Sequence, residues 1–595
     1  MEHNTFISKL RLAALLTLLT AAIAAIAAFS GCRKTQTVDP YAENGGRNIN
    51  LICGVDEFGR TFDPVLKTDS GKTVGMFYFL WHGASGKTTY NITELLKTDT
   101  KSLWNKAGTP SSPLYAFHYW NEPLFGYYRS TDKWVIARHC EMLTAAGVDF
   151  LAFDTSNGEI YTDQFMALCD VFQEYYDAGW DVPKLCFMTR SKSVETMERI
   201  YEALYKEGLY KDLWYCRDGE TPVILGIPQE GLEARYAELD AFFDIIYTLW
   251  PDEEYEGDAL SWMEWTYPQP IHDRTINVSI CQHTAIPLSR SWTERDRNWG
   301  RGYDHTDEYN HGESFREGIN FQQQWDTVFN NIDDIDTVFV TGWNEWIAQK
   351  LLVDGVVGFV DQFNEEFSRD IEMPKEGYGD NFYLQLCSYI RCFKGADNIT
   401  AAHPPLITID VNADPAQWDS VSASYIALSQ TVRARNELSV DSKTRYKQAA
   451  PDNNIQEIKL AHDKTNLYFL IRCENDVVCS DATGWMNIYI GTGELSVKGF
   501  CGYEFLADCT LEGGTLYRLD ADGNGTEAGT VRTSVSGKYV QVEVPLKALG
   551  IKKVSGCRGV YFKVTDGVED PDNILNTYIS GKSLPMGRLS YYYYF

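Results

Sequence analysis

The amino-acid sequence predicts an α/β protein, a (β/α)8 TIM-like barrel followed by a C-terminal antiparallel β-sandwich. From about residue 71 to residue 395, short β-branched or aromatic runs alternate with longer amphipathic stretches. Beyond residue 406, short runs alternate apolar and polar residues without helical stretches between them. The first pattern is typical of a parallel sheet covered by helices, and the second is typical of paired antiparallel strands.

Eight runs are predicted to form the strands of the barrel. They are VGMFYFLW (74–81), FLAFD (150–154), KLCFMT (184–189), TPVILG (221–226), DIIYTLW (244–250), INVSICQH (276–283), DTVFVTGW (336–343) and GFVDQF (358–363). Helical patterns lie between several of them, such as residues 132–146 with Gly147 as a C-cap. A doubly wound open sheet is the alternative, but no Gly-rich phosphate-binding turn follows the first strand.

The sequence pattern changes at KGADNITAAHPP (394–405), a segment of mostly small and polar residues that ends in a pair of prolines. Five alternating runs follow, at 466–473, 485–491, 503–509, 538–546 and 559–565. We therefore predict a tether and N-terminal extension over 33–70, a barrel over 71–395, a linker over 396–405 and a β-sandwich over 406–595.

The first 32 residues have the pattern of a lipoprotein signal peptide. Lys9 and Arg11 precede an apolar stretch over 12–29, and small residues lead directly to Cys32. The pattern predicts lipidation at Cys32 and a lipid-anchored protein of the bacterial cell envelope, at the outer membrane, facing the periplasm or the surface. A retained membrane-spanning anchor is the alternative.

Composition limits the classes of partner. The chain has 595 residues and a formal net charge of −30, which disfavours nucleic acid. Its 14 cysteines show neither CxxC pairs nor Cys/His pairs at zinc spacing, so no metal and no organic cofactor is predicted. The 16 Trp and 36 Tyr are consistent with a sugar-binding cleft and equally with a large aromatic core.

Polar residues that follow parallel barrel strands meet at one face, where such barrels carry their active sites. The residues in these places include two tryptophans, two histidines and several carboxylates, without a Ser–His pair or a metal cluster. This chemistry fits cleavage of a glycosidic bond, which needs one carboxyl group to protonate the leaving oxygen and a second to assist the attack. The strand-end candidates are Trp81, His82, Asp154, Arg190, Glu264, Gln282, His283, Asn344, Glu345 and Asp361.

The sharpest local signal is Thr341-Gly342-Trp343-Asn344-Glu345-Trp346, directly after the apolar run DTVFV. Indole faces can stack on sugar rings, the amide of Asn344 can bind a hydroxyl group, and the carboxylate of Glu345 can transfer a proton. The structural alternative is that both tryptophans pack the barrel rim and Glu345 pairs with an arginine.

Three segments in the same order resemble the endo-α-mannosidase family of glycoside hydrolases (family 99) and its WbsX-like relatives. They are VGMFYFLWHG (74–83), the segment 121–154 from NEPLFGYY to FLAFD, and GWNEW (342–346). The resemblance covers about residues 74–365. It implies an α-linked bond, cleaved internally in a glycan chain. We add Trp120, next to the second segment, to the predicted substrate-binding residues, which are Trp81, His82, Trp120, Gln282, His283, Trp343, Asn344, Trp346 and Asp361.

The chain departs from the family at one catalytic position. Members carry a second glutamate three residues after the first, as the general acid/base, whereas this chain has Ala348 there. Glu345 matches the first glutamate, which in the family assists the sugar 2-hydroxyl. Asp154, Glu264 and Asp361 are the candidates to replace the second, and Asp154 and Glu264 are the predicted catalytic residues among them.

Each replacement has a structural alternative. Asp154, in FDTSNG, has the composition of a turn or an N-cap. Glu264 lies between Trp262 and Trp265, whose apolar surroundings would raise its pKa, but it is also consistent with a surface loop. Asp361 is followed by Glu365, Glu366, Arg369 and Asp370, which suggest a structural network of ion pairs.

The C-terminal region weakly resembles family-9-like carbohydrate-binding modules, with Trp418, Trp485 and Tyr503 as aromatic candidates. Taken together, the sequence predicts an exported lipoprotein glycoside hydrolase with a carbohydrate substrate. The alternative from another class is a non-catalytic surface glycan-binding lipoprotein that keeps the cleft. A glycan-assembly enzyme is a third hypothesis, which the export signal disfavours because sugar nucleotides are cytoplasmic.

Overall fold

The computed structural model describes residues 36–595 except 43, 285, 293, 295, 296, 397, 429–432 and 480–484. The predicted signal peptide and the predicted lipidation site Cys32 lie outside the described residues. Within the part of the chain that is described, no helix has both the length and the apolar character needed to cross a bilayer.

The protein is a mixed α/β protein built around a nine-stranded, nearly closed sheet. Eight strands are parallel, and we number them β1 to β8 in chain order. They are β1 Thr73–Tyr78, β2 Phe150–Thr155, β3 Lys184–Thr189, β4 Val223–Gly226, β5 Asp244–Leu249, β6 Ala259–Ser261, β7 Thr275–Ser279 and β8 Thr337–Thr341. The ninth strand, Ile271–His272, is short and antiparallel to β7.

The order of the parallel strands in space is β6-β5-β4-β3-β2-β1-β8-β7, so β6 and β7 are the two ends. A side chain connects these ends: Asn277 Nδ2 donates to the carbonyl oxygens of Ser261 and Trp262, both at 3.1 Å. An amide side chain therefore bridges this seam, where the two end strands have no backbone ladder between them.

Six helices of eight or more residues accompany the parallel strands in the described part of the chain, and the connection after β1 also contains the short helices Ile92–Thr98 and Thr100–Leu103. The six longer helices are α1 Lys133–Ala146, α2 Thr162–Asp177, α3 Ser193–Ile200, α4 Glu233–Asp240, α5 Ile319–Asn330 and α6 Asn381–Lys394, and a π-helical turn, Tyr201–Tyr205, extends α3. They follow β1, β2, β3, β4, β7 and β8. The described segment 250–274, which connects β5, β6 and β7, contains no helix, so two of the eight helices predicted for a regular barrel are missing.

The predicted helix over 132–146 illustrates how local sequence sets an element. Asp132 accepts hydrogen bonds from the backbone N–H groups of Trp134 and Val135, at 3.1 and 3.4 Å, and thereby caps the start of α1. Gly147 ends the helix in the left-handed conformation, with φ +87°, as the predicted C-cap requires.

Two strand predictions differ from the structure. The predicted last strand, 358–363, is replaced by the hairpin Ile347–Val353 and Val356–Phe359. The first strand of this hairpin pairs with Phe117–Tyr119, which pairs in turn with Tyr90–Asn91, and the four strands form a separate sheet. Strand β6 was not predicted, because three residues are too few to show a period.

The C-terminal region forms a curled antiparallel sheet of thirteen strands. Its strands in spatial order are Ser424–Ile426, Ile455–His462, Asn466–Cys473, Tyr539–Pro545, Gly525–Ser536, Gly513–Leu519, Phe505–Thr510, Asn487–Thr492, Gly559–Asp566, Leu589–Tyr594, Ile52–Val55 and Thr61–Phe62, with Lys582–Leu584 beside Gly559–Asp566. Strands that are distant along the sheet meet face to face, since the rings of Phe469 and Phe562 have their centroids 5.6 Å apart.

Part of the predicted tether over 33–70 belongs to this sheet. The apolar strand Ile52–Val55 pairs with the final strand of the chain, Leu589–Tyr594, and with Thr61–Phe62. In the predicted linker, Ile399–Ala401 pairs in parallel with Gln36–Val38. The chain thus enters the C-terminal sheet before it forms the parallel sheet and returns to it afterwards.

Candidate active site

Indoles, carboxyl groups and Arg369 lie together at the carboxyl ends of the parallel strands, next to the apolar interior of the sheet, and we call the region between them the hollow. The interior contains alternate residues of the strands, including Phe77, Phe150, Met188 and Phe339. Half-buried indoles of Trp81, Trp250 and Trp265 and the buried indole of Trp262 pack against this interior from above. Asp154, near the end of β2, continues the inward-facing row that begins with Phe150 and Ala152.

Arg369 is the central charge of the hollow. Its Nη2 contacts Glu345 Oε2 at 2.5 Å and its Nη1 contacts Asp361 Oδ1 at 3.3 Å. The guanidinium lies 4.7 Å from the centre of the Trp262 ring. The side chains of Arg369 and Glu345 are each 2% exposed, whereas that of Asp361 is 34% exposed. Of these three groups, Asp361 is therefore the one that water reaches.

Two residues of the segment that follows the hairpin, Gln362 and Asp370, hold Glu345 in place by hydrogen bonds. Gln362 Nε2 donates to Glu345 Oε2 at 2.9 Å and to Asp370 Oδ2 at 2.7 Å. Asp370 Oδ1 accepts the backbone N–H of Glu345 at 2.6 Å. Because both oxygens of Asp370 are engaged, the Glu345 backbone and side chain are fixed relative to Arg369.

The pKa values of the carboxyl groups around Arg369 are shifted in different directions. Burial raises the pKa of Glu345 well above its usual range, against the opposing charge of Arg369. Burial likewise raises the pKa of Asp370 to about 6. Burial also acts to raise the pKa of Asp361, but the charge of Arg369 and the contact with His283 outweigh it, and the pKa falls below the usual range. Asp361 is therefore the carboxylate that keeps its negative charge.

Asp154 faces the same hollow, and its pKa is raised, whereas that of Asp361 is lowered. Its side chain is buried, and burial raises its pKa although Oδ1 accepts the backbone N–H of Ser156 at 3.0 Å. The charges of Arg369 and Asp361 both act on Asp154. The pKa values of Asp154 and Asp361 are thus shifted in opposite directions, as is common for an acid and a base that work together.

His283 completes this side of the hollow. Its Nε2 lies 3.2 Å from Asp361 Oδ1, and its Nδ1 lies 2.6 Å from the carbonyl oxygen of Thr284. The imidazole ring lies 5.8 Å from the ring centres of both Trp262 and Trp265. The histidine thus lies next to Asp361 and packs beside two indoles.

Several donors in the hollow have no protein partner among the described residues. They are Nε1 of Trp81, Nε1 of Trp262, Nε1 of Trp265 and Nε of Arg369, all buried atoms. Each is an N–H group, so the wall offers donors to oxygen acceptors, and sugar hydroxyl groups are acceptors of this kind. Buried donors in a cleft are normally satisfied by water or by a ligand.

The tryptophans of the GWNEW segment have a different environment from the one predicted. Trp346 is fully buried and stacks on Trp120, with ring centres 4.4 Å apart and an interplanar angle of 16°. Its Nε1 donates to Glu372 Oε2 at 2.6 Å. Trp343 is also fully buried, 5.6 Å from the ring of His139. These three indoles pack the protein interior in place of the predicted sugar stacking.

Asn344 connects two strand ends. Its Oδ1 accepts the backbone N–H of Phe79 at 2.9 Å, and its Nδ2 donates to the Phe79 carbonyl oxygen at 3.2 Å. The amide therefore continues the pairing of β8 with β1 beyond the last ladder bond, which differs from the predicted contact with a sugar hydroxyl. Ala348 lies in the neighbouring hairpin opposite His118 and brings no carboxylate.

Glu264 and Gln282 bind protein groups instead of lining the hollow. Glu264 Oε1 lies 2.9 Å from His272 Nε2, and its backbone carbonyl accepts Gln282 Nε2 at 3.1 Å. Gln282 Oε1 accepts Gln324 Nε2 at 2.7 Å. His82 is buried beside the ring of Tyr128, and burial lowers its pKa to about 3. Of the predicted residues, the hollow thus brings together Trp81, Asp154, His283 and Asp361, with Glu345 behind Arg369.

Arg369, Trp262 and Trp265 lie in the hollow although the sequence predicted no site role for them. Arg369 was expected in a structural network of ion pairs, and it does pair with Asp361, but it also binds Glu345. The available signals were a single arginine among four acidic residues and the two tryptophans that flank Glu264. Trp418, Trp485 and Tyr503, the aromatic candidates of the C-terminal region, are all buried.

No family model and no curated protein matches the chain. Among solved structures, a GH99 endo-alpha-mannosidase from Bacteroides thetaiotaomicron is 14% identical and has a TM-score of 0.30, over 55% of this chain and 98% of that one. A glycoside hydrolase-like protein is 13% identical, with a TM-score of 0.30 over 56% and 96% of the two chains. An endo-alpha-mannosidase complex with bis-tris-propane has a TM-score of 0.27 at 14% identity, over 55% and 98%. At these identities and TM-scores, the similarity supports no conclusion about function.

Proposed function

We propose that the protein is an exported lipoprotein glycoside hydrolase that uses Asp154 and Asp361 as its pair of catalytic carboxyl groups. The proposal is supported by one observation above all: the charge of Asp361 acts on Asp154, and the environments of the two groups shift their pKa values in opposite directions. On this proposal the nearly closed sheet serves as a (β/α)8 barrel, with its active site at the carboxyl ends of the strands.

The roles follow from the two environments. Asp154 is the general acid, because burial favours its protonated form and a proton is needed on the leaving oxygen. Asp361 is the base or nucleophile, because it stays charged and is reached by water. Indole faces and unpaired N–H groups would bind the sugar. By its sequence resemblance, the substrate bond would be α-linked and internal to a poly- or oligosaccharide.

Glu345 takes a different role from the one predicted. It is buried behind Arg369, whose guanidinium contacts Glu345 through Nη2 and Asp361 through Nη1. We propose that Glu345 positions Arg369 and thereby sets the charge and position of Asp361. Glu345 is then a positioning residue, while Asp154 and Asp361 contact the substrate.

The alternative is a non-catalytic glycan-binding lipoprotein. Two observations favour it: Glu345 is committed to a buried ion pair, and Ala348 occupies the position of the family's second glutamate. The binding hollow would be the same, with Asp361 and the N–H donors holding hydroxyl groups without cleavage.

The experiment is a screen of the purified protein against plant, yeast and host glycans, followed by variants on any glycan that is cleaved. Asp154→Asn and Asp361→Asn should each lower kcat by at least about 10³-fold. Asp170→Asn is the matched control, since Asp170 lies on the surface of α2 and pairs with Lys133. Full activity in either test variant would overturn the assignment, and glycan binding without cleavage would support the alternative.

The pH profile gives a second test. Activity should fall at low pH as Asp361 gains a proton and at high pH as Asp154 loses one, with the upper limit set by the raised pKa of Asp154. Glu345→Gln should keep measurable turnover but shift the acidic limb, because it alters Arg369. A loss as large as that of Asp361→Asn, without a shift in the remaining activity, would make Glu345 catalytic.

Localisation is proposed from the sequence pattern of residues 1–32. We propose a lipid anchor at Cys32 in the bacterial cell envelope. Cys32→Ser should move the protein from the membrane fraction to the soluble fraction, and an unchanged distribution would contradict the anchor.

A further inference from the structure

A hairpin of the C-terminal region reaches across to the rim of the parallel sheet. We call residues 433–448 the arm. Its strands, Arg435–Leu438 and Arg445–Gln448, pair with each other as a separate two-stranded sheet. The arm lies in the chain between Ser424–Ile426 and Ile455–His462, which are neighbouring strands of the curled sheet. It therefore leaves the C-terminal sheet and returns to it.

A buried ion pair attaches the arm to α1. Arg435 Nε and Nη2 contact Asp132 Oδ2 at 2.8 and 2.7 Å. The guanidinium also lies over two rings, at 5.0 Å from the centre of Trp134 and 4.5 Å from that of Tyr446. Since the other oxygen of Asp132 caps α1, one carboxylate joins the arm to the start of the helix.

The arm also binds the backbone just before α1. Tyr446 Oη accepts the N–H of Tyr127 at 2.7 Å, and the N–H of Val440 donates to the Tyr127 carbonyl oxygen at 2.9 Å. Arg129 Nε donates to the carbonyl oxygen of Ser439 at 3.2 Å. Gly126 fits so closely that an added Cβ would lie 2.3 Å from Tyr446 Cζ. Residues 126–132 are thus held along their length.

The opposite side of the same segment holds the turn that follows β1. The N–H of Ser130 donates to the His82 carbonyl oxygen at 2.9 Å, and Ser130 Oγ accepts the N–H of His82 at 3.2 Å. Within the turn, the Trp81 carbonyl oxygen accepts the N–H of Ser85 at 2.7 Å. Gly83 packs against the side chain of Arg129. The indole of Trp81, which forms part of the hollow, is therefore attached to residues that the arm fixes.

We infer that the arm positions Trp81 in the hollow, so that the C-terminal region completes the binding site instead of acting as a separate sugar-binding module. Arg435 is the positioning residue at the centre of this contact. The inference rests on the proposed function only in taking the hollow as the glycan site. The link from Arg435 to Trp81 itself depends on contacts within the protein.

The test uses the full chain labelled with 5-fluorotryptophan and observed by ¹⁹F NMR, without substrate. Trp81→Phe identifies the Trp81 resonance by its loss, and Trp134→Phe and Trp418→Phe identify two references in the same way. Arg435→Ala should shift or broaden the resonances of Trp134 and Trp81 and leave that of Trp418 unchanged. Arg445→Ala is the matched control, because Arg445 is exposed on the same hairpin and binds Asn436 within it; it should change neither Trp134 nor Trp81.

Tyr446→Phe keeps the ring but removes the acceptor of the Tyr127 N–H, and it serves if Arg435→Ala does not fold. It should shift the Trp81 resonance in the same direction by a smaller amount. A changed Trp134 resonance with an unchanged Trp81 resonance, in whichever variant folds, would overturn the inference. If a glycan is cleaved, Arg435→Ala should raise KM about tenfold with kcat nearly unchanged. The absence of cleavage would affect the proposed function alone.

Discussion

The substitution Arg369→Gln removes the guanidinium that contacts both Glu345 and Asp361. Arg369 and Glu345 are each 2% exposed, so the charges are out of reach of solvent screening. Breaking a buried pair by removing one partner costs about 3–5 kcal/mol, because the other charge stays buried without compensation. We expect a loss of this size in the free energy of unfolding at pH 8.

The loss should be smaller at pH 5. Burial already raises the pKa of Glu345, and without Arg369 the pKa rises further. Between the ordinary glutamate pKa and this raised value, the folded variant binds more protons than the unfolded chain, so its stability falls as pH rises. Protonation of Glu345 at the lower pH should therefore restore part of the loss.

Urea denaturation at pH 5 and pH 8, followed by tryptophan fluorescence, measures both values. Arg532→Gln is the control, because Arg532 pairs with Glu543 at 2.9 Å but is 57% exposed. It should change the free energy of unfolding by no more than about 0.5 kcal/mol. A loss below about 1 kcal/mol for Arg369→Gln at pH 8, or an equal loss at both pH values, would refute the reasoning.

Three further predictions use the same denaturation assay. Asn344→Ala leaves the buried N–H and carbonyl of Phe79 without their amide partner and should cost about 1–3 kcal/mol, whereas a neutral result would contradict the role of the amide as a connection. Burial lowers the pKa of Lys563 from 10.5 to about 7. Between these pH values the unfolded chain binds one proton more than the folded protein, so the free energy of unfolding should rise with pH. Lys563→Met should flatten that rise, and an unchanged slope would contradict the prediction. Gly126→Ala places a Cβ against the Tyr446 ring at φ +75° and should destabilise the protein by about 1–3 kcal/mol while speeding amide hydrogen exchange in the arm; normal exchange there would contradict the close fit.

The sequence alone predicted seven of the eight parallel strands at nearly their observed positions, since strands buried on both faces leave continuous apolar runs. It also predicted α1 with its C-cap Gly147, because capping depends on residues within one turn. Asp154, His283 and Asp361 were candidates because each follows or ends an apolar run. Local patterns of this kind need no knowledge of the distant chain.

The tertiary structure alone decided which strand-end groups face the hollow. Glu345 and the tryptophans beside it lie in a segment whose residue types predict a sugar site. Residues 360–372 pack against this segment, however, and Arg369, Gln362 and Asp370 bind Glu345 there. The arm reaches Asp132 from about 300 positions later in the chain. A residue's exposure and charge depend on all the neighbours that packing brings to it, and most of these neighbours are remote in sequence. Local periodicity therefore determined where the elements lie, and long-range contacts determined which of their side chains can meet a ligand.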